Sequence, residues 1–288
     1  LIASQRSLFP WSPIAETVGL PQPECRALTA LIRSTVFAAT LAACALHPSA
    51  HAQESPATNP LYRVPAEQAT PAQITEMQQR LLDWPQLQRY RGENAALAPV
   101  APGTKRVVFY GDSITEGWGP TGSDRFFPGK PYVNRGISGQ TTAQMLLRFQ
   151  QDVIALKPAL VVILAGTNDI AGNTGPTTQA MIEDNLHAMV ELAQAHNIRI
   201  VLASVLPVSD YPWQPGVQPA GKVTALNRAL RAYAEEQGLV YLDYHTAMTN
   251  KDGGLDPELA ADGVHPTPAG YAKMVPLAEA AIARAQAR

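Results

Sequence analysis

The chain has little cysteine: two residues in 288, Cys25 and Cys44. Both lie before Ala52, after which an export signal is read below, so the chain from Gln53 onward carries no thiol. That excludes a disulfide-stapled scaffold, a catalytic thiolate and a thiolate zinc site there, and leaves an apolar core as the source of stability. Charge is also sparse. Charged residues are 16% of the chain and the net charge is −2, so no basic field exists to hold nucleic acid and no acidic tract to form a solvated tail. No apolar run approaches the ~20 residues of a membrane-spanning helix. H-E-x-x-H, a phosphate-cradling glycine loop with lysine, and G-x-S-x-G are all missing, which removes the signatures of a zinc peptidase, a P-loop and an ordinary α/β-hydrolase. What is plentiful is apolar: 46% of residues are hydrophobic, enough at this length for one large core.

The first part of the chain differs from the rest. Arg26 and Arg33 precede an apolar run at 34–46, and Ala50-His51-Ala52 follows as a small-x-small site before Gln53. A positive flank, a short apolar stretch and such a site make a secretory signal peptide cleaved after Ala52. A second reading stands beside it: Leu41-Ala42-Ala43-Cys44 resembles a bacterial lipobox, in which Cys44 becomes the lipid-bearing N-terminus. Either way the protein is expected to be exported, periplasmic or extracellular. The first methionine is Met77, and residues before about Ala27 are read as an over-extended reading frame.

Beyond residue 53 a polar, proline-containing stretch leads to a helical pattern at 71–82, where Ile74, Met77, Leu81 and Leu82 recur at helical spacing. Trp84-Pro85 ends it, 87–94 suits another short helix, and the prolines at 99 and 102 mark a linker. From Lys105 strand and helix alternate. Strands are predicted at 106–110, 132–134, 159–165, 198–203 and 239–242, and helices at 142–156, 178–196, 220–237 and 268–287. The run at 159–165 is continuously apolar, as in a strand covered on both faces. Such alternation predicts an α/β three-layer sandwich: a central, mostly parallel five-stranded sheet with helices on both faces. Ligands then bind at the carboxyl ends of the strands.

Four polar groups stand at those ends. Gly111-Asp112-Ser113-Ile114-Thr115 follows the first strand, Gly136-Ile137-Ser138-Gly139 the second, and Gly166-Thr167-Asn168-Asp169 the third, while Asp262-Gly263-Val264-His265-Pro266 precedes the last helix. Each has an ordinary structural reading. Ser113 to Glu116 matches a capping box, the Asn and Asp residues suit turns, and the glycines suit backbone needs. Their convergence on one rim favours chemistry. A serine hydroxyl needs an adjacent base. His187 reads as a surface residue, and His196 sits at a helix end. His245 follows a strand, and His265 has Asp262 three residues before it, close enough to orient its ring. The arrangement favours His265.

These groups resemble the sequence blocks of the SGNH (GDSL-type) hydrolases, from about Arg106 to the final helix. Ser113 matches the first block's serine, Gly139 the second block's glycine, Asn168 the third block's asparagine, and Asp262 with His265 the last pair. The resemblance implies a flavodoxin-like fold and a serine esterase. It makes Ser113 the nucleophile, His265 the base and Asp262 its orienter, with an oxyanion hole from the Ser113 and Gly139 backbone N–H groups and the Asn168 amide. It implies no metal or cofactor. Asp112 and Asp169 are expected to support the loops by bonding backbone N–H groups. The chain then divides into 1–52, signal and extended N-terminus; 53–104, lead-in and linker; and 105–288, the SGNH hydrolase domain.

The substrate is less legible. Tyr211 and Trp213 lie in the loop at 207–219, and Trp118 follows Ser113. All three are candidates to contact substrate, or to pack their loops. With no long apolar lid, a short acyl group is expected, acetyl on carbohydrate first among them. The alternatives are a lysophospholipase or thioesterase acting on longer chains, and a non-catalytic carbohydrate-binding module.

Overall fold

In the computed structural model, residues 66–288 are described, all within one unit, Gln53–Arg288. The signal peptide, its cleavage site and Cys44 lie outside the described residues. A helix α1 (Pro71–Leu82) and a short α2 (Arg91–Ala96) come first. Then follow β1 (Val107–Gly111), α3 (Ser113–Glu116), β2 (Tyr132–Gly136), α4 (Thr142–Asp152), β3 (Leu160–Leu164), α5 (Thr167–Ile170), α6 (Gln179–Ala195), β4 (Arg199–Ala203), α7 (Pro219–Glu236), β5 (Val240–Leu242), α8 (Tyr244–Met248) and α9 (Pro268–Ala287). Every predicted strand is present. All sheet pairings are parallel, in the order β2-β1-β3-β4-β5. Among the described residues no helix is long and apolar enough to cross a membrane.

The central strands β1 and β3 are apolar because both faces are covered. Val108, Tyr110, Val161 and Ile163 point to one side and pack with Phe149 of α4, Leu186 and Met189 of α6, and Leu226 and Leu230 of α7. Val107, Phe109, Leu160 and Val162 point to the other and meet Met274, Ala278 and Ile282 of α9. This is the two-residue alternation of a strand buried on both faces. The strand order reverses between β1 and β3, and in open parallel sheets that switch point is where the crevice for ligands opens. Ser113 follows β1 and Asn168 follows β3, so the topology sets them on either side of that crevice.

The expected boundary at residue 105 marks no break in the packing. Tyr90 is buried and its hydroxyl donates to the Gly136 carbonyl. Its ring lies between the guanidinium groups of Arg89 and Arg135, each 4.6 Å from the centroid. Asn94 accepts from Arg135 at 2.7 Å and donates to Asp152 at 2.6 Å. Arg148, fully buried, pairs with Asp152 at 3.2 Å and donates to the Gly111 and Arg135 carbonyls, both at 2.9 Å. A buried guanidinium is tolerable because its donors are met in this way. The helix α1 spans the residues expected for it, yet Ile74, Leu81 and Leu82 are exposed, Leu82 at 88%. Their spacing suits a helix, but among the described residues nothing covers that face.

Candidate active site

The segment after β1 explains how Ser113 is presented. Asp112 is the residue that caps α3, its Oδ1 accepting from the Ile114 N–H at 2.9 Å. Ser113 is therefore the first helical residue, with a backbone N–H that has no partner within the helix. The capping-box reading of Ser113 to Glu116 is corrected here. Glu116 turns to the neighbouring loop instead, where it accepts from the Ser138 N–H at 2.9 Å and from Arg89 at 3.1 Å. The hydroxyl of Ser113 is left free for another partner. The loop after β2 comes this close because Gly136 has no side chain: a Cβ there would lie 2.2 Å from the Glu116 nitrogen.

That partner is His265. Its Nε2 lies 2.9 Å from Ser113 Oγ, and its Nδ1 lies 2.6 Å from Asp262 Oδ2. With the proton on Nδ1 donated to the carboxylate, Nε2 accepts from the serine hydroxyl. The other Asp262 oxygen accepts from the N–H groups of Val264 at 3.0 Å and His265 at 2.7 Å. Partial burial pushes this carboxyl up, but the bonds from the His265 ring and the two backbone N–H groups outweigh it and hold the group below its ordinary range. The rival His245 is elsewhere, its ring 3.3 Å from Thr249 Oγ1. His187 stacks on Tyr233 at 3.7 Å.

Asn168 is buried and its amide is fixed at both ends. Oδ1 accepts from Asn173 at 2.8 Å, and Nδ2 donates to the Gln140 carbonyl at 3.0 Å. A primary amide has two N–H donors, so one remains for the cleft that Asn168 lines. Gly139 lines the same cleft with φ at +76°, a conformation that favours glycine, and a Cβ there would find nothing nearer than Asn173 Nδ2 at 3.9 Å. Asp169 ties the loop after β3 to the start of α4, accepting from the Thr142 N–H at 2.9 Å and its hydroxyl at 2.6 Å. Burial raises its carboxyl to about 6 against those bonds.

Asp112 is more extreme. Its Oδ2 is buried without a partner, and burial pushes the carboxyl up to about 7, opposed by the Ile114 N–H and the nearby His265. An unfolded chain releases this proton near pH ~3.9. Between there and the folded value the folded protein holds a proton that the unfolded chain has lost. The stability it contributes is full at lower pH and is lost as pH rises through 7. Asp112→Asn keeps the acceptor for Ile114 and has no proton to lose. Urea unfolding is expected to show the variant gaining on the wild type as pH rises from about 4 to about 7, by up to ~1.4 kcal/mol per pH unit. Parallel pH profiles would locate the titration in another group.

The cleft has a volume of about 890 Å³ and contains Ser113, Gly139, Asn168, Trp213 and His265. Trp213 lines this cleft, its ring 6.0 Å from that of His265, and its Nε1 donates to Asn173 at 3.1 Å. Trp118 and Tyr211 do not line this cleft. Trp118 is buried against Phe109, Phe127 and Tyr271 at 5.1–5.5 Å, because apolar area there is worth more in the core than at the rim. Tyr211 is fully buried behind Trp213, bonded to Thr167 at 2.9 Å. The sequence reading missed Glu116, Asn173, Trp84 and Arg89. The only signal for Asn173 was a Gly-Asn-Thr-Gly turn just beyond Asp169. For Trp84 there was only an isolated tryptophan beside Pro85.

Residues 109–273 match the GDSL-like Lipase/Acylhydrolase family. A crystal structure of a GDSL-like lipase from Bacteroides thetaiotaomicron is 45% identical, with a TM-score of 0.67 over 70% of this chain and 99% of that one. Esterase TesA of Pseudomonas aeruginosa is 30% identical over 148 residues, half of this chain and 65% of its own. An acetylxylan esterase of Geobacillus stearothermophilus is 27% identical over 194 residues, 58% of this chain and 89% of its own. Against the first two curated relatives it matches, the chain spans 33% and 65% of their lengths.

Proposed function

We propose that this chain, which belongs to the GDSL-like Lipase/Acylhydrolase family, is an exported serine esterase that removes short acyl groups, acetyl above all, from carbohydrate alcohols. It is a carboxylic ester hydrolase that works through an acyl-enzyme at Ser113. The observation that carries this reading is the contact series from Ser113 Oγ to His265 Nε2 at 2.9 Å and from His265 Nδ1 to Asp262 at 2.6 Å.

The hydroxyl of Ser113 attacks the ester carbonyl as its proton passes to Nε2 of His265. The imidazolium is stabilised by Asp262, which stays ionised because its carboxyl is held low. Negative charge on the carbonyl oxygen is met by the N–H groups of Ser113 and Gly139 and by the spare N–H of Asn168. The oxyanion collapses, the alcohol leaves with the proton from His265, and water activated by the same ring releases the acid.

Two observations favour a short acyl group. The cleft that holds Ser113 is lined in part by the polar side chains of Ser138, Gln144, Asn173 and Thr174, which offer a long alkyl chain less to bury against than an apolar groove would. A second hollow of about 300 Å³, bounded by Trp118, Pro266, Tyr271 and Val275, does not include Ser113. Export rests on the flanked apolar run and the site after Ala52, with lipid attachment at Cys44 as the alternative. Hydrolysis of p-nitrophenyl acetate and octanoate tests the acyl preference. The acetate is expected to be the better substrate by kcat/KM. A preference for octanoate would move the assignment to a lysophospholipase or thioesterase that reaches the second hollow.

A further inference from the structure

The cleft is far larger than an acetyl ester requires, and much of its wall comes from outside the family match, which begins at residue 109. Glu76, Gln79, Arg80, Trp84 and Gln88 line the same cavity as Ser113 and His265. We propose that this upstream wall is the subsite for the alcohol half of the substrate, and that it binds a neutral oligosaccharide of two or more rings. The proposal rests on the esterase reading above.

The wall is held in place. The carbonyls of Trp84, Pro85 and Leu87 accept from Gln144 at 2.6 Å, Gln140 at 2.9 Å and Gln151 at 2.7 Å. Asp83 receives the N–H groups of Leu87 at 2.8 Å and Gln88 at 2.9 Å. These bonds satisfy the backbone of an otherwise irregular stretch and fix it against α4 and the loop before it, so at Trp84 to Gln88 a ligand meets a preformed surface. Volumes of ~300–1,000 Å³ hold drug-sized ligands, and this cleft lies near the upper end of that range.

The lining chemistry selects the ligand. The cations are matched on the protein: Arg80 pairs with Glu76 at 2.7 Å and Arg89 with Glu116 at 3.1 Å, while the Asp83 carboxylate is taken up by the Leu87 and Gln88 N–H groups. No surplus cation is offered to a phosphate or a carboxylate-bearing alcohol. The rest of the lining includes amides, which both donate and accept, the hydroxyls of Ser138 and Thr174, and two tryptophans, Trp84 on the upstream wall and Trp213 beside His265. Amides suit hydroxyls that do the same, and an indole offers a flat apolar face to the C–H side of a sugar ring. An alkyl alcohol would leave the amides unpaired, at a cost.

The test is acetate release by the full chain from partly acetylated xylose, xylobiose and xylotriose, beside p-nitrophenyl acetate. The expected result is a rise in kcat/KM of about tenfold or more from the monosaccharide to the trisaccharide, carried by KM. Trp84→Ala and Gln79→Ala are each expected to lower the trisaccharide-to-p-nitrophenyl acetate ratio of kcat/KM, Trp84→Ala by about tenfold. Brisk hydrolysis of p-nitrophenyl acetate with no dependence on sugar number, and a ratio unmoved in both variants, would overturn the subsite alone. Absence of any ester hydrolysis would overturn the esterase reading and the subsite with it.

Discussion

Replacing Ser113 by alanine is expected to reduce kcat for p-nitrophenyl acetate by at least about 10⁴-fold, with little change in thermal stability. The size follows from what the hydroxyl does. In the proposed mechanism it forms the bond to the acyl carbon, and no other nucleophile among the described residues lies beside a histidine bound to a carboxylate. His265→Ala is expected to cost nearly as much. The double variant should be no worse than either single one, because the two residues act as a unit and their effects do not add. The residual rate reflects oxyanion donors and binding that remain. Ser113 is only partly buried and bonds only to His265 in this structure, so removing its hydroxyl leaves no orphaned polar group in the core. Steady-state kinetics on the three variants, with a circular dichroism melt for each, check the prediction. A His265→Ala variant with wild-type turnover would transfer the base to another group.

The second large effect is expected at Asn168. Asn168→Ala should lower kcat by roughly 10²–10³, or ~2.7–4 kcal/mol of transition-state stabilisation, and should move KM much less. The split matters because the donor is needed where charge develops on the oxygen and is of little use to the ground-state ester. Asn168→Asp keeps the size but turns a donor into a charged acceptor facing the developing anion, and should be at least as damaging. A fall in kcat/KM carried by KM alone would make Asn168 a binding residue. Asn173 accepts from Trp213 and donates to Asn168 Oδ1, so it holds the amide the right way round.

Most of the sheet was legible because its strands carry their burial in their composition. The runs of β1, β3 and β4 are apolar on both faces, and only a strand covered by helices on two sides needs that. Mostly parallel became wholly parallel, and the order of strands was beyond reach of pattern alone, since alternation fixes neighbours in sequence and not in space. The convergence of the candidate site was legible for a related reason. Ser113, Gly139 and Asn168 each follow a strand, and parallel strands bring such positions to one rim. What escaped was the long-range polar work. Glu116 reads as a cap until Ser138 and Arg89 are seen to claim its two oxygens. The glutamines of α4 carry no sequence signal for their task, which is to hold the backbone from Trp84 to Leu87. Aromatic residues near the rim were ambiguous, since burial in the core and contact with substrate call for the same side chain. Trp118 and Tyr211 took the first course and Trp213 lines the cleft. In α1 the apolar spacing at Ile74 and Leu81 fits a helix, yet both are exposed, because periodicity specifies a face and not its partner.

The most direct measurement is covalent labelling of the nucleophile. The full chain treated with a fluorophosphonate should take up one equivalent, and peptide mapping by mass spectrometry should place it on Ser113. Labelling should be slowed strongly in His265→Ala and absent in Ser113→Ala. Failure of the folded wild-type protein to label, or an adduct on any other residue, would contradict an acyl-enzyme at Ser113.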